Sequence, residues 1–173
     1  MSNARNLANF LGTGTTVPSS KLSLVAADMP AGNVLQVVNT VHSANVAING
    51  STPTEYTGIS TAITPKVTGS KIYIMANVSC GNLNNGSEWY ESILYRDSTS
   101  NQISTRADFY FNSRYEMIGP KLLFAIFDPT TTTAGTARTY KVYLNGDSGN
   151  GALQINWNNN NSQSSMTLME IAA

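Results

Sequence analysis

The segment KIYIMANVSC, residues 71–80, places Ile72, Ile74, Ala76, Val78 and Cys80 on one side and Lys71, Tyr73, Asn77 and Ser79 on the other. Successive side chains of a strand point to opposite faces, so this period of two predicts a half-buried β-strand. The segment RTYKVYLN, residues 138–145, repeats the pattern, with Tyr140, Val142 and Leu144 inward. ALQINW, residues 152–157, repeats it again with Leu153, Ile155 and Trp157. Turn-forming clusters stand between such runs: NGSTP at 49–53, GNLNNGS at 81–87, RDSTSN at 96–101, DPTTTTAGT at 128–136, NGDSGNG at 145–151 and NNNNSQSS at 158–165. Strands punctuated in this way, with no helical pattern between them, predict an all-β fold: an antiparallel, jelly-roll-like β-sandwich.

Three further segments carry apolar residues on both faces: VLQVV (34–38), KLLFAIF (121–127) and MTLMEIA (166–172). A sheet built from them needs cover on both sides, and a single sandwich covers only one. A neighbouring subunit supplies the second cover most economically, so a homo-oligomer is expected.

The chain divides into a leader, residues 1–32, and a sandwich domain, residues 33–173. In SNARNLANFLG (2–12), Ser2 or Asn3 caps a short helix whose Ala4, Leu7, Ala8, Phe10 and Leu11 share one side, and Gly12 ends it. So short a helix is marginal alone in water, and GTGTTVPSS separates it from the strands. The expectation is an anchor that docks through Leu7, Phe10 and Leu11.

With 173 residues, the chain can bury a core without metal or disulfide staples. Only 12% of residues are charged, and ten basic residues balance ten acidic ones without a basic cluster. Neutralising a row of phosphates needs such a cluster, so nucleic acid is not an expected partner. No apolar run has the length of a membrane span, and no membrane insertion is expected. The N-terminus lacks a signal-peptide core, which predicts synthesis in a cytoplasm and gives the sequons at Asn49, Asn77, Asn85 and Asn160 little weight.

Catalytic constellations are scarce. His42 is the single histidine, at a strand end with no nucleophile elbow, and Cys80 reads as a small core residue. One His and one Cys cannot build a zinc site, and GTGTT fails both the dinucleotide and the phosphate-loop patterns. In NGDSGNG, Asp147, Asn145 and Asn150 offer oxygen ligands for calcium, but their glycine pattern suits a hairpin loop. Glu88 and Glu91, in EWYES, are the nearest carboxylate pair beside aromatics, yet at this spacing they point to opposite faces of a strand. Glu91 shares its face with Trp89, Ile93 and Tyr95, where an ion pair with an arginine or a subunit contact is expected. No enzyme activity and no cofactor are expected. Tyr90, Tyr110, Tyr115 and Trp157 lie near Asn- and Asp-rich loops, and two readings are open: they stack on carbohydrate, or they close the ends of the core.

Two end segments, SNARNLANFLGTGTTVPSSKL and SSMTLMEIAA, resemble the opening and closing segments of tail-fibre-like and appendage virion proteins of tailed bacteriophages, marine and cyanobacterial ones in particular. PAGNVLQVV, EYTGISTAITPKVTGSKIYIMANVS and ESILYRDSTSNQI resemble internal segments of the same group. The resemblance implies a trimeric β-sandwich displayed on a virion as a tail fibre, head fibre or receptor-binding knob. Its expected partners are other virion proteins and a host-surface carbohydrate or protein. A purely architectural decoration protein and a glycan-degrading enzyme are the alternatives.

Overall fold

The computed structural model describes residues 29–82, 88–104, 106–111, 117–145, 153–157 and 162–173. The leader residues 1–28, with Leu7, Phe10 and Leu11, lie outside this set, as do Tyr115, Asp147 and Asn150. The described residues form strands β1 Val34–His42, β2 Val46–Ile48, β3 Thr54–Glu55, β4 Thr61–Ile63, β5 Lys71–Asn82, β6 Glu88–Arg96, β7 Ser98–Gln102, β8 Ala107–Phe111, β9 Met117–Phe127, β10 Arg138–Asn145, β11 Leu153–Ile155 and β12 Ser164–Ile171. One turn of 3-10 helix, Thr57–Ile59, interrupts them.

All pairings are antiparallel and build two sheets. In the first sheet, β11 and β12 lie end to end along one edge of β5, β9 takes the other edge, and β1 and β2 pair with β12 and β11. In the second, β3 and β4 share one edge of β10, β6 takes the other, and β7 and β8 share the far edge of β6. Joining the end-to-end pieces leaves eight chain passes, ordered one, eight, three, six in the first sheet and two, seven, four, five in the second. This is the two-Greek-key order of a jelly roll.

The core lies between the sheets, where the alternation in the sequence places it. Ile72, Ile74, Ala76, Val78 and Cys80 of β5 face Tyr140, Val142 and Leu144 of β10, all fully buried. Each such aliphatic side chain contributes about 1.5–3 kcal/mol through burial. Burial also pushes the Cys80 thiol up to about 12, which keeps it protonated and unreactive. The alternation in ALQINW holds only as far as Ile155. Asn156 adopts a left-handed conformation (φ 51°) and is itself buried, which turns Trp157 out of the core row to a half-buried position.

Asn156 has a structural task. Its Nδ2 donates to the His42 carbonyl (2.9 Å) and to the Tyr56 hydroxyl (3.0 Å), while its Oδ1 accepts from Ser164 (2.8 Å). The Tyr56 hydroxyl lies 2.8 Å from His42 Nδ1, so a polar network ties the end of β1 to the 3-10 turn. His42 is half-buried there, and Gly58 leaves room for its ring: a Cβ on Gly58 would stand 2.5 Å from Nδ1. Gly58→Ala is therefore expected to cost about 1–3 kcal/mol by overpacking. Urea unfolding checks this, and His42→Ser in the same chain should recover part of the loss.

Two buried carboxylates complete the frame. Asp128, just after β9, reaches across to the second sheet and accepts from Arg96 Nη1 (3.0 Å), Arg138 Nη1 (3.0 Å) and the Tyr140 hydroxyl (2.7 Å). Glu170, on β12, accepts from the backbone N–H groups of Lys66 (2.9 Å) and Val67 (3.1 Å), from Ser70 Oγ (2.7 Å) and from Gln36 Nε2 (2.6 Å). It pins the β4–β5 loop to the first sheet. Burial by itself raises both pKa values, but hydrogen bonds outweigh it, from the Thr130 N–H (2.9 Å) and hydroxyl (2.7 Å), Tyr140 and Arg96 at Asp128 and from Lys66, Ser70, Val67 and Gln36 at Glu170, and both carboxyls lie below their ordinary values.

Candidate functional site

The outer face of the second sheet carries an aromatic platform. Alternation along β6 sends Tyr90, Ser92 and Leu94 into the core and leaves Trp89 and Glu91 facing out. The register with β8 sets Trp89 opposite Tyr110 and Glu91 opposite Asp108. Trp89 is 61% exposed and Tyr110 36% exposed, with ring centroids 4.7 Å apart at 40°. Facing pairs on adjacent strands bring side chains within contact, so the strand pairing itself holds the rings in place.

The row beside the rings is polar and fixed. Arg106 Nη1 donates to both Glu91 oxygens at 2.9 and 2.8 Å. Asn145, at the end of β10, donates through Nδ2 to Glu91 Oε2 (2.9 Å) and accepts from the Glu91 backbone N–H (2.8 Å). The arginine expected for Glu91 is thus Arg106. Asp108 is exposed beside this pair, and its carboxylate makes no hydrogen bond or ion pair to another described residue.

The outer face of the first sheet has the opposite character. VLQVV, KLLFAIF and MTLMEIA, read as two-faced segments, form β1, β9 and β12 of this one sheet, with β5 among them. Paired positions align Val37, Met169, Tyr73 and Phe127 in one outward row across the four strands. Val37 is 55% exposed and Phe127 49% exposed, while Val34, Val41 and Leu122 are similarly open. The Tyr73 and Phe127 rings touch, with centroids 4.9 Å apart. Lys71 is the one charged side chain among the described outward residues of these strands.

The aromatics chosen from the sequence divide. Tyr110 belongs to the platform. Tyr90 does not: it is fully buried, edge-on to Phe111 at 5.2 Å, because it occupies the inward register of β6. Trp157 follows β11 on the first sheet, apart from the Tyr110 platform on the second. Trp89 is the most exposed large hydrophobic side chain among the described residues, and the sequence marks it only as a neighbour of Glu91. The backbone of Glu88 pairs with Phe111, while its side chain lies outside the described residues.

No family model and no curated protein matches the chain. The resemblance to phage appendage proteins therefore rests on the sequence segments themselves. Among solved structures, a chain in "Structure of infectious bursal disease virus Gx strain" is similar, with 13% identity and a TM-score of 0.39. The match covers 80% of the present chain and 37% of that chain, so this chain spans well under half of its length.

Proposed function

We propose that the chain is a virion structural protein of a tailed bacteriophage, a tail-fibre, head-fibre or knob protein that assembles as a homotrimer. It works by binding and carries out no chemistry. The leader, through Leu7, Phe10 and Leu11, docks it to other virion proteins, and the second sheet is left to meet the host surface. The resemblance of the quoted segments to appendage proteins supports the virion reading.

The observation that carries the assembly reading is the outward apolar row Val37–Met169–Tyr73–Phe127. Four strands about 4.8 Å apart and about 27 Å long present roughly 500 Å² of sheet. A standard interface takes about 800 Å² from each partner, so this face supplies much of one, and an apolar patch of about this size is often functional. With Lys71 its one described charge, a second copy of this face meets it without appreciable repulsion.

Light scattering tests the assembly. The expected mass is three times the 18.5 kDa of one chain, falling to one chain in Val37→Lys/Phe127→Lys with the fold intact by circular dichroism. A wild-type monomer at micromolar concentration would overturn the assembly, and absence of the chain from purified particles would overturn the virion role. Release of reducing sugar from a host polysaccharide would overturn the non-enzymatic reading.

A further inference from the structure

We infer that the Trp89–Tyr110 platform is a binding site for an uncharged glycan, in which a pyranose ring stacks on Trp89 and its hydroxyls bond the Glu91–Asp108–Arg106 row. The inference rests on the reading of this sheet as the host-facing side and names the chemistry it takes.

The geometry provides both halves of such a site. The apolar C–H face of a sugar needs a flat, exposed ring held still, and Trp89 is exposed and braced by Tyr110. Sugar hydroxyls need acceptors and donors at a fixed distance from that ring. Residues two apart on a strand stand about 7 Å apart on the same face, so Glu91 and Asp108 lie one sugar width from the rings. Arg106 and Asn145 hold the Glu91 carboxylate in one orientation before any ligand arrives. Such preorganisation favours binding because little ordering remains to be done.

The charge of the row selects the ligand. Two carboxylates face one guanidinium, so the row keeps a net negative charge and repels uronic and sialic acids. Asp108, without a partner among the described residues, is free to accept from a pair of hydroxyls. A protein partner fits less well, since aromatic hot spots of protein interfaces sit in desolvated apolar surroundings. Here the aromatic pair is bordered by charge, and the longer exposed apolar row among the described residues lies on the opposite sheet.

The test is titration of the full chain with soluble glucan, galactan and mannan oligosaccharides, and with polygalacturonate as the anionic counterpart, followed by tryptophan fluorescence and calorimetry. At least one neutral series is expected to bind, with Trp89→Ala weakening it about 30-fold or more and Trp89→Phe retaining part of the affinity. Asp108→Asn should weaken the neutral ligand and relax the rejection of polygalacturonate. Each variant is checked for an unchanged urea midpoint and an unchanged mass by light scattering. No binding by any neutral series at millimolar concentration, binding that survives Trp89→Ala, or preference for polygalacturonate would each overturn the site. A change of oligomer mass in Trp89→Ala would also overturn it, because the platform would then be a subunit contact. A monomeric wild type that still binds sugar through Trp89 would overturn the assembly reading alone.

Discussion

Asp128→Ala is expected to cost about 3–5 kcal/mol of folding stability, among the largest effects of any single change outside the apolar core. Its carboxylate is fully buried, and Arg96 and Arg138, with side chains only 15% and 11% exposed, both point at it. Removing the acid leaves the half-exposed Asp97, 3.7 Å from Arg96 Nε, as the nearest counter-charge to two crowded guanidinium groups, and it strips the buried Tyr140 hydroxyl of its acceptor. Because Asp128 follows a strand of the first sheet and its partners belong to the second, the loss falls on the joint between the sheets. Urea unfolding measures it directly, and the melting temperature should drop by about 2–4 °C per kcal/mol in a chain of this size. The Glu55–Lys141 pair (3.1 Å) serves as the control, since both side chains are about a quarter exposed. Glu55→Ala should cost at most about 1 kcal/mol. Equal losses in the two variants would show that Asp128 does not hold the sheets together.

Much of this architecture was legible because alternation is a local property. KIYIMANVSC and RTYKVYLN each have one face that is plainly more apolar, so burial follows from the sequence alone. EWYESILYR is different, because Trp89, Ile93 and Tyr95 share a face with Glu91, while Tyr90 and Leu94 share theirs with Glu88, Ser92 and Arg96. Neither face is clearly the inner one, and the choice is made by partners distant in sequence. Leu94 and Tyr90 meet the core built by β5 and β10, which sends Trp89 outward. That is why the sequence leaves Tyr90 open between stacking on carbohydrate and closing the core, and gives no separate sign of Trp89. The two-faced segments carried a stronger message, since their surplus of apolar residues could be read before their common sheet was known.

The opposed faces give a division of labour that one sandwich can sustain. Sheets packed face to face turn their outer surfaces in opposite directions, so subunits can join through the Val37–Phe127 row without covering Trp89. In the proposed assembly, several copies present several platforms together. Weak sugar contacts gain by such repetition, because once one platform is held the others bind at a high effective concentration.

Glu170→Ala should be the second severe lesion, on the order of 3 kcal/mol or more, and its signature is acid dependence. The sequence MTLMEIA gives no warning of this: the glutamate stands in an apolar strand, and its partners Lys66, Val67 and Ser70 lie about a hundred residues away. Once folded, the carboxylate is fully buried and accepts from two backbone N–H groups of the β4–β5 loop. Its folded pKa lies below the ordinary value of 4.5, as that of Asp128 lies below 3.8. A depressed pKa means that the folded chain binds the proton less readily than the unfolded one. The stabilisation is therefore fully present above the unfolded values, begins to fade as pH falls below about 4.5, and is gone once pH passes the folded values. Wild-type urea midpoints should accordingly be level from pH 7 to about 5 and fall steeply below about 4. Glu170→Gln cannot titrate, so it should start from a lower midpoint and lose less of it on acidification. An acid limb as steep in Glu170→Gln as in the wild type would show that the β4–β5 loop is held by something other than this charge.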